Sequence, residues 1–502
     1  MRSKKKSIPE LLLLSVAMFL FLCVFRVVYM DMFFDGLIYA SIARNMSQGV
    51  GSFWYPHYTQ FFLNPFYEHP PLVLWLQSFA YRIFGDHRLV EFLWGTVCAL
   101  LIIFFIYRLY MLSDQKKTNE QKVVRTAWFP IFLFAVIPTI SWTFSNNILE
   151  NTMAVFTTAS VWLIFRAFIS GKRICLYSFI AGALIIMAFM SKGLTGLFPL
   201  AVPAIFLISY GKFRFKEFKN YIIKPYAAIA SSVLLFAVLI YVFKRQEAAA
   251  YSFYYFNNQV LKSLSGKNEN VRYMYLVYRF LGELIVPVFI AGALYLILKW
   301  TKKYLRPVKQ DNKFFIAMLL IAASASLPTF ISPKQRIWYL FASWPFYSLA
   351  IAYYFRNTAL SINKIFEKAF LKRTALAFSL LLLVVSIGLI LLSSGTKFKR
   401  LPEFYSDLIS QNVSLTGEQV VISVCPKTMS DSWETLAFMQ RYYKASFTPE
   451  DNKPFLLADL TSPECLAFKN CIPMNTAPKR FALYRCATSE DVQIDIQVQV
   501  KE

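Results

Sequence analysis

Asp35, Glu68 and His69 are the residues whose type and spacing point most directly to chemistry. They fall in residues 31–88, the first long polar and aromatic interruption of an otherwise apolar chain. A carboxylate at a membrane–water boundary can take a proton from an incoming hydroxyl. Asp35 is such a group, and its plainer reading is the N-cap of the helix that follows. From Leu37 the apolar residues recur at helical spacing, which predicts an amphipathic helix on the membrane surface. Glu68 and His69 directly precede Pro70 and Pro71. Proline suits a first helical turn and holds the residue before it extended, so this pair is expected at a helix start, aimed outward.

Three cations lie in two short turns: Lys192 in MSKGLTG, and Lys334 and Arg336 in SPKQR. Arginine can hold a phosphate bidentately and lysine acts as a point charge, so together they read as an anion site. The alternative is ordinary interfacial cations reaching toward lipid phosphates. Glu150 opens an apolar span in NNILENT, where an acid is costly unless paired or functional. It is expected to balance one of the basic turns. Tyr39, Trp54, Tyr55 and Tyr67 either stack on a sugar or belong to an interfacial aromatic belt.

The elements that must position these residues are membrane helices. Of 502 residues, 57% are hydrophobic and 16% charged, against about a quarter charged in a soluble protein. Apolar runs of about 20 residues recur along the chain, long enough to cross a bilayer as helices. Spans are expected near 10–30, 89–111, 127–144, 148–166, 174–190, 194–210, 226–243, 280–299, 314–331, 337–355 and 374–394. The first follows a basic MRSKKK start but has no small-residue cleavage pattern after it, and is read as an uncleaved span. Threaded with the N-terminus inside, every loop assigned to the cytoplasm is basic, as in Lys212, Arg214, Lys216 and Lys219. The net charge of +25 is therefore read as topogenic, with no nucleic-acid partner. The chain is expected to be a multi-pass protein of the inner (plasma) membrane. Residues 31–88, residues 244–279 and the C-terminus then lie on the extracytoplasmic side.

Residues 396–502 change character. Strand-like runs at 419–425, 455–460, 480–486 and 492–500 flank a helix-like 433–444, which predicts a small extracytoplasmic α+β domain. Residues 1–395 form the transmembrane module, with 31–88 as an outer loop carrying interfacial helices. Cys425, Cys465, Cys471 and Cys486 all lie in the tail, which suggests disulfides in an oxidising compartment. Their pairing is open, and Cys465–Cys471 is locally feasible. There is no internal repeat, no glycine-rich phosphate loop and no Walker lysine.

Several motifs in order carry a family resemblance: D-x-x-x-Y-x-x-I-A at Asp35 and Tyr39, HPPLVLW from His69, the S-K-G turn at Lys192, and S-x-K-x-x-x-x-Y-L from Ser332 through Lys334 to Tyr339. Together they resemble glycosyltransferase family 39, which has the GT-C fold and includes protein O-mannosyltransferases and lipid A aminoarabinose transferases. The resemblance covers roughly residues 8–355. It implies an all-α polytopic GT-C module of about eleven spans that moves a sugar from a polyprenyl-phosphate donor to a lipid, glycan or protein acceptor outside the cytoplasm. It implies Asp35 as catalytic acid and Lys192, Lys334 and Arg336 as donor-phosphate side chains. Glu68 and His69 match the polar pair before the family's PPL, with Glu68 expected beside Asp35 in catalysis and His69 at the donor phosphate, while Tyr39, Tyr67, Glu150 and Tyr339, which closes the last motif, are expected to contact substrate. One departure stands out: the family usually has a second acid where this chain has Gly36.

Phosphate as leaving group needs preplaced cations. Asp35 as base on the opposite side of the sugar implies inversion at the anomeric carbon. No cofactor is required, although Glu68 and His69 leave a divalent metal open. A transporter or flippase of lipid-linked sugar is a rival class, but paired halves with broken helices at corresponding positions are not visible. An outer-face scaffold would account for the tail but not the charged turns. An oligosaccharide ligase is a further alternative within the enzymes.

Overall fold

The computed structural model describes residues 10–113, 120–212, 214–261, 273–304, 311–333, 335–392, 401–409, 420–450, 453–462 and 471–486. By packing the chain falls into two compact units. One comprises residues 1–28, 68–73 and 91–393, and is called the membrane unit here. The other joins residues 29–67 and 74–90 to the C-terminal residues from 394. The division therefore differs from a simple boundary at 395, because most of the outer loop packs with the tail.

The membrane unit is a bundle of apolar helices: α1 (Glu10–Tyr29), α4 (Leu89–Met111), α5 (Trp128–Ala135), α6 (Pro138–Ser145), α7 (Leu149–Ser170), α8 (Ile174–Lys192), α9 (Val202–Tyr210), α10 (Lys224–Tyr255), α11 (Tyr273–Trp300), α12 (Lys313–Ile331), α13 (Trp344–Tyr354) and α14 (Ala369–Leu392). Between α1 and α4 the chain forms α2 (Phe34–Ser47) and α3 (Leu72–Phe84). Among the described residues eight helices are long and apolar enough to cross a membrane, or nine if a bent pair is counted as one. Eleven continuous spans were expected, and the difference has local causes. The 127–144 span breaks into α5 and α6, bent by 75° with Pro138 starting the second helix. The 194–210 and 337–355 segments each begin as a 3-10 stretch before turning α-helical, with Pro199 inside the first and Pro345 in the first turn of α13. Proline removes a donor and clashes with the preceding turn, so each run is interrupted.

In this unit the helices meet through small residues and aromatic rings. An added Cβ at Gly182 of α8 would lie 2.9 Å from Ser232 Cβ of α10, a close approach that only a small residue permits. Phe280 stacks on the fully buried Trp344 at 5.6 Å. The start of α6 is held by Glu283 of α11, which is 5% exposed and accepts the Thr139 main-chain N–H at 2.8 Å. A helix start leaves its first N–H groups without internal partners, and in an apolar bundle a carboxylate serves in place of water.

The second unit has a five-stranded sheet of β1 (Val421–Val424), β2 (Ser446–Thr448), β3 (Phe455–Asp459), β4 (Cys471–Pro473) and β5 (Phe481–Cys486), in the order β2-β1-β3-β5-β4. β1 pairs in parallel with β2 and β3, and β5 is antiparallel to β3 and β4. Helix α15 (Trp433–Tyr443) lies between β1 and β2 in the chain. This is the small α+β domain expected from the strand-like runs and the helix-like 433–444. The run 492–500 lies outside the described residues. Cys471 is bonded to Cys486 across neighbouring strands rather than to Cys465. Cys425 is also disulfide-bonded, and Cys465 lies outside the described residues.

Asp407 organises the turn before β5. Its carboxylate accepts main-chain N–H groups of Lys479, Arg480 and Phe481 at 3.0, 2.7 and 2.8 Å. Asp459, at the end of β3, accepts from Ser432, Thr461 and Arg480. Burial raises both carboxyls, but these hydrogen bonds outweigh it and hold both below the ordinary range.

Candidate functional site

In the membrane unit four of the residues singled out from sequence meet. Lys192 ends α8 and Glu150 opens α7, so each charge is at the helix end that favours it. Their side chains form an ion pair at 3.2 Å, with Lys192 8% and Glu150 1% exposed. Lys192 Nζ is 3.4 Å from His69 Nε2 and 5.4 Å from the centre of the Tyr339 ring. A carboxylate, an imidazole and a ring face thus surround one ammonium group.

Local sequence explains the placement. Gly193 ends α8 with φ +82°, a conformation that favours glycine, and an added Cβ there would collide with the Tyr255 hydroxyl. His69 is held by its main chain, whose carbonyl accepts the Tyr251 hydroxyl. Pro70 and Pro71 then lead into α3 at Leu72, one residue later than a first-turn proline would give. Glu68, beside His69, is exposed. Arg336 is exposed too, and its carbonyl accepts the Tyr339 N–H at 3.0 Å, which fixes the turn that carries the ring. Lys334 lies outside the described residues. Among the described residues no three His, Cys, Asp or Glu side chains gather as a metal-ligand set.

In the second unit Asp35 is the second residue of α2, half-buried, with Phe33 rather than Asp35 at the N-cap. Tyr39, one turn on, is 4% exposed and packs edge-on against Phe66 at 6.4 Å. Tyr67 is half-buried. Helix α2 is not the half-exposed surface helix expected: Gly36 through Met46 are all buried. Small residues explain why, since Ala40 and Ala43 pack against Tyr81 and Val90.

Sequence reasoning missed what fixes α2. Arg44, 1% exposed, donates Nη1 to the main-chain oxygens of Gln440 and Arg441 at 3.1 and 2.8 Å. These are carbonyls of the last turn of α15, which have no partner inside the helix. Arg441 in turn pairs with Asp86 at 2.7 Å. Burial, then the neighbouring Arg441, lowers the Arg44 pKa. Tyr251 was also missed, in an aromatic run that reads as an ordinary interfacial belt.

Residues 68–241 match the family model described as dolichyl-phosphate-mannose-protein mannosyltransferase. Glu68, His69, Glu150 and Lys192 fall inside the match. The whole chain is similar in fold to ArnT from Cupriavidus metallidurans bound to undecaprenyl phosphate, with a TM-score of 0.60 at 13% identity over 95% of this chain and 98% of that one. ArnT in the apo state gives 0.58 at 13% identity, over 93% and 96%. The Archaeoglobus fulgidus oligosaccharyltransferase complex with Zn and sulfate gives 0.41 at 16% identity, over 89% and 68%. No curated protein matches the sequence. The chain is a multi-pass membrane protein with the GT-C glycosyltransferase fold, as the resemblance to family 39 implied.

Proposed function

We propose that this protein transfers a sugar from a polyprenyl-phosphate carrier to a lipid, glycan or protein acceptor on the extracytoplasmic face of the inner (plasma) membrane. The observation that carries this reading is the cluster of Lys192, Glu150, His69 and Tyr339, built on a buried ion pair, within a membrane unit of GT-C fold. Three of these four residues lie in the family match. The likeness in fold to ArnT bound to undecaprenyl phosphate supports a lipid carrier.

The roles follow from charge. A departing polyprenyl phosphate gathers negative charge that fixed cations stabilise. Lys192, Lys334 and Arg336 supply them. Glu150 holds the Lys192 side chain in place through their ion pair, and His69 beside it binds the same phosphate. Tyr339 covers the opposite side of the ammonium. Asp35 takes the proton of the acceptor hydroxyl as the new glycosidic bond forms and the bond to phosphate breaks, so the anomeric configuration inverts. Glu68 assists at the acceptor side, and Tyr39 and Tyr67 contact the substrates. Asp35 lies outside the family match and rests on the D-x-x-x-Y motif.

Incubation of the purified protein with radiolabelled polyprenyl-phosphate sugars and cell envelope tests the reading. Label moves into a lipid, glycan or protein fraction, and the fraction names the acceptor. Label that only crosses a reconstituted bilayer, still on its carrier, would replace the transferase by a flippase.

A further inference from the structure

We propose that Glu283 is a positioning residue for the donor site: through α6 it sets two of the groups around the Lys192 ammonium, the Glu150 carboxylate and the Tyr339 ring. Its part in donor binding rests on the transferase reading; the mechanical link does not. Glu283 is a carboxylate among apolar helices, 5% exposed, and the proposed reaction makes no use of it. An acid in such a place is costly and marks a function. Its Oε2 accepts the Thr139 main-chain N–H at 2.8 Å.

The start of α6 explains why an acceptor is needed there. A bend of 75° separates α6 from α5, so the axis of α5 does not fix its direction. Pro138 opens α6 and has no N–H, and Ile137 at the N-cap offers no side-chain acceptor. The Ile140 N–H turns back to the Ile137 carbonyl at 3.0 Å. Thr139 is thus the donor that the helix start leaves over. Glu283 replaces the missing cap, and its charge meets the positive end of the helix dipole.

From that anchor α6 grips the Lys192 cluster on two sides. Trp142 lies against Trp338 with ring centres 5.1 Å apart, and Phe144 meets Phe341 edge-on at 5.2 Å. Trp338 and Phe341 flank Tyr339 in the 3-10 stretch Ile337–Ser343, so α6 holds the turn whose ring faces Lys192. On the other side the Thr143 carbonyl accepts Asn151 Nδ2 at 2.9 Å. Asn151 is 1% exposed and directly follows Glu150, the ion-pair partner of Lys192. Space is tight as well. A Cβ added at Gly95 of α4 would lie 2.4 Å from the Phe144 carbonyl oxygen, so α6 has little room to shift that way. A displacement at Thr139 therefore reaches Tyr339 and Glu150 together, through packed rings and hydrogen bonds.

Binding of undecaprenyl phosphate to the full-length protein in nanodiscs, read beside hydrogen exchange, tests the link. Glu283→Leu weakens binding roughly tenfold, within the range for residues that act on a site without touching it. It also raises exchange at Ile337–Ser343 as well as at 139–145. Glu283→Gln keeps an oxygen for the Thr139 N–H and binds as the unaltered protein does. In the transfer assay Glu283→Leu raises the donor KM and leaves the acceptor KM as it was, a split that general loss of fold would not produce. Should Glu283→Leu fail to fold, Trp142→Leu breaks the same link at its middle, with the same loss of binding and the same rise in exchange at Ile337–Ser343. Unchanged exchange there in whichever leucine variant folds, or a glutamine variant no better than the leucine one, overturns the proposal. If the unaltered protein binds no polyprenyl phosphate, the donor reading falls, and the exchange comparison still decides whether Glu283 positions Tyr339.

Discussion

Lys192 and Glu150 close an ion pair in the interior of the membrane unit, 3.2 Å apart and almost without exposure. A pair of this kind contributes less through its attraction than through the damage done by breaking it, because either partner alone is an uncompensated buried charge. Lys192→Met should cost about 3–5 kcal/mol on that ground, and Glu150→Leu a comparable amount. The double variant should recover most of the loss and yet remain inactive. Thermal unfolding in detergent separates the two effects. A double variant that regains transfer would remove Lys192 from the chemistry and leave it a structural role.

Asp35→Asn keeps the shape of the side chain and removes the base. Loss of a positioned general base costs about 10²–10⁴ in rate. Transfer should fall by that factor while binding of labelled polyprenyl-phosphate sugar stays the same. Retained activity would shift the role of base to Glu68, and the matching Glu68→Gln variant distinguishes the two.

Arg44 is expected to control activity without touching substrate. Arg44→Met strips two buried carbonyls of their donor, a cost of about 1–3 kcal/mol. Arg44→Lys should rescue only part of it, since an ammonium cannot reproduce the planar fork that spans both Asn45 and the carbonyls. Hydrogen exchange should rise in α2 and α15 together. A rise in only one of them would mean that the two helices are held by other contacts.

Acid should loosen the C-terminal sheet. The folded Asp407 and Asp459 carboxyls titrate below the ordinary aspartate value of about 3.9. The unfolded chain therefore binds more protons in this range, and stability rises with pH. Their contribution is complete above about pH 4–5 and is lost as pH falls through the lowered folded values. Exchange protection at Phe481–Cys486 should decline over that window, and Asp407→Asn should flatten the dependence.

The apolar runs made most of the bundle legible, because a bilayer leaves helices few alternatives. Pro138, Pro199 and Pro345 were equally visible, yet whether a proline bends, delays or ends a helix depends on neighbours that a sequence does not display. The pairing of Glu150 with a cation followed from the cost of burying an acid. Its partner could not be named, since Lys192 lies 42 positions further on. Arg44 gave no signal at all: its acceptors are main-chain oxygens, which every residue possesses. Glu283 was hidden in the same way, because it binds the main-chain N–H of Thr139. The surface character assigned to α2 failed because Ala40, Ser41 and Ala43 present no strongly polar face, and other chain covers them.

The reach of Arg44 also has a consequence for biogenesis. Its carbonyl partners lie 396 and 397 residues later in the chain. During synthesis the helix carrying Asp35 emerges early and must wait, its guanidinium uncommitted, until nearly all of the chain has followed. Contacts of such separation form late. A nascent chain that stops short of α15 would hold all the described membrane helices and still lack a finished α2, so the helix that carries Asp35 would settle only once α15 has followed.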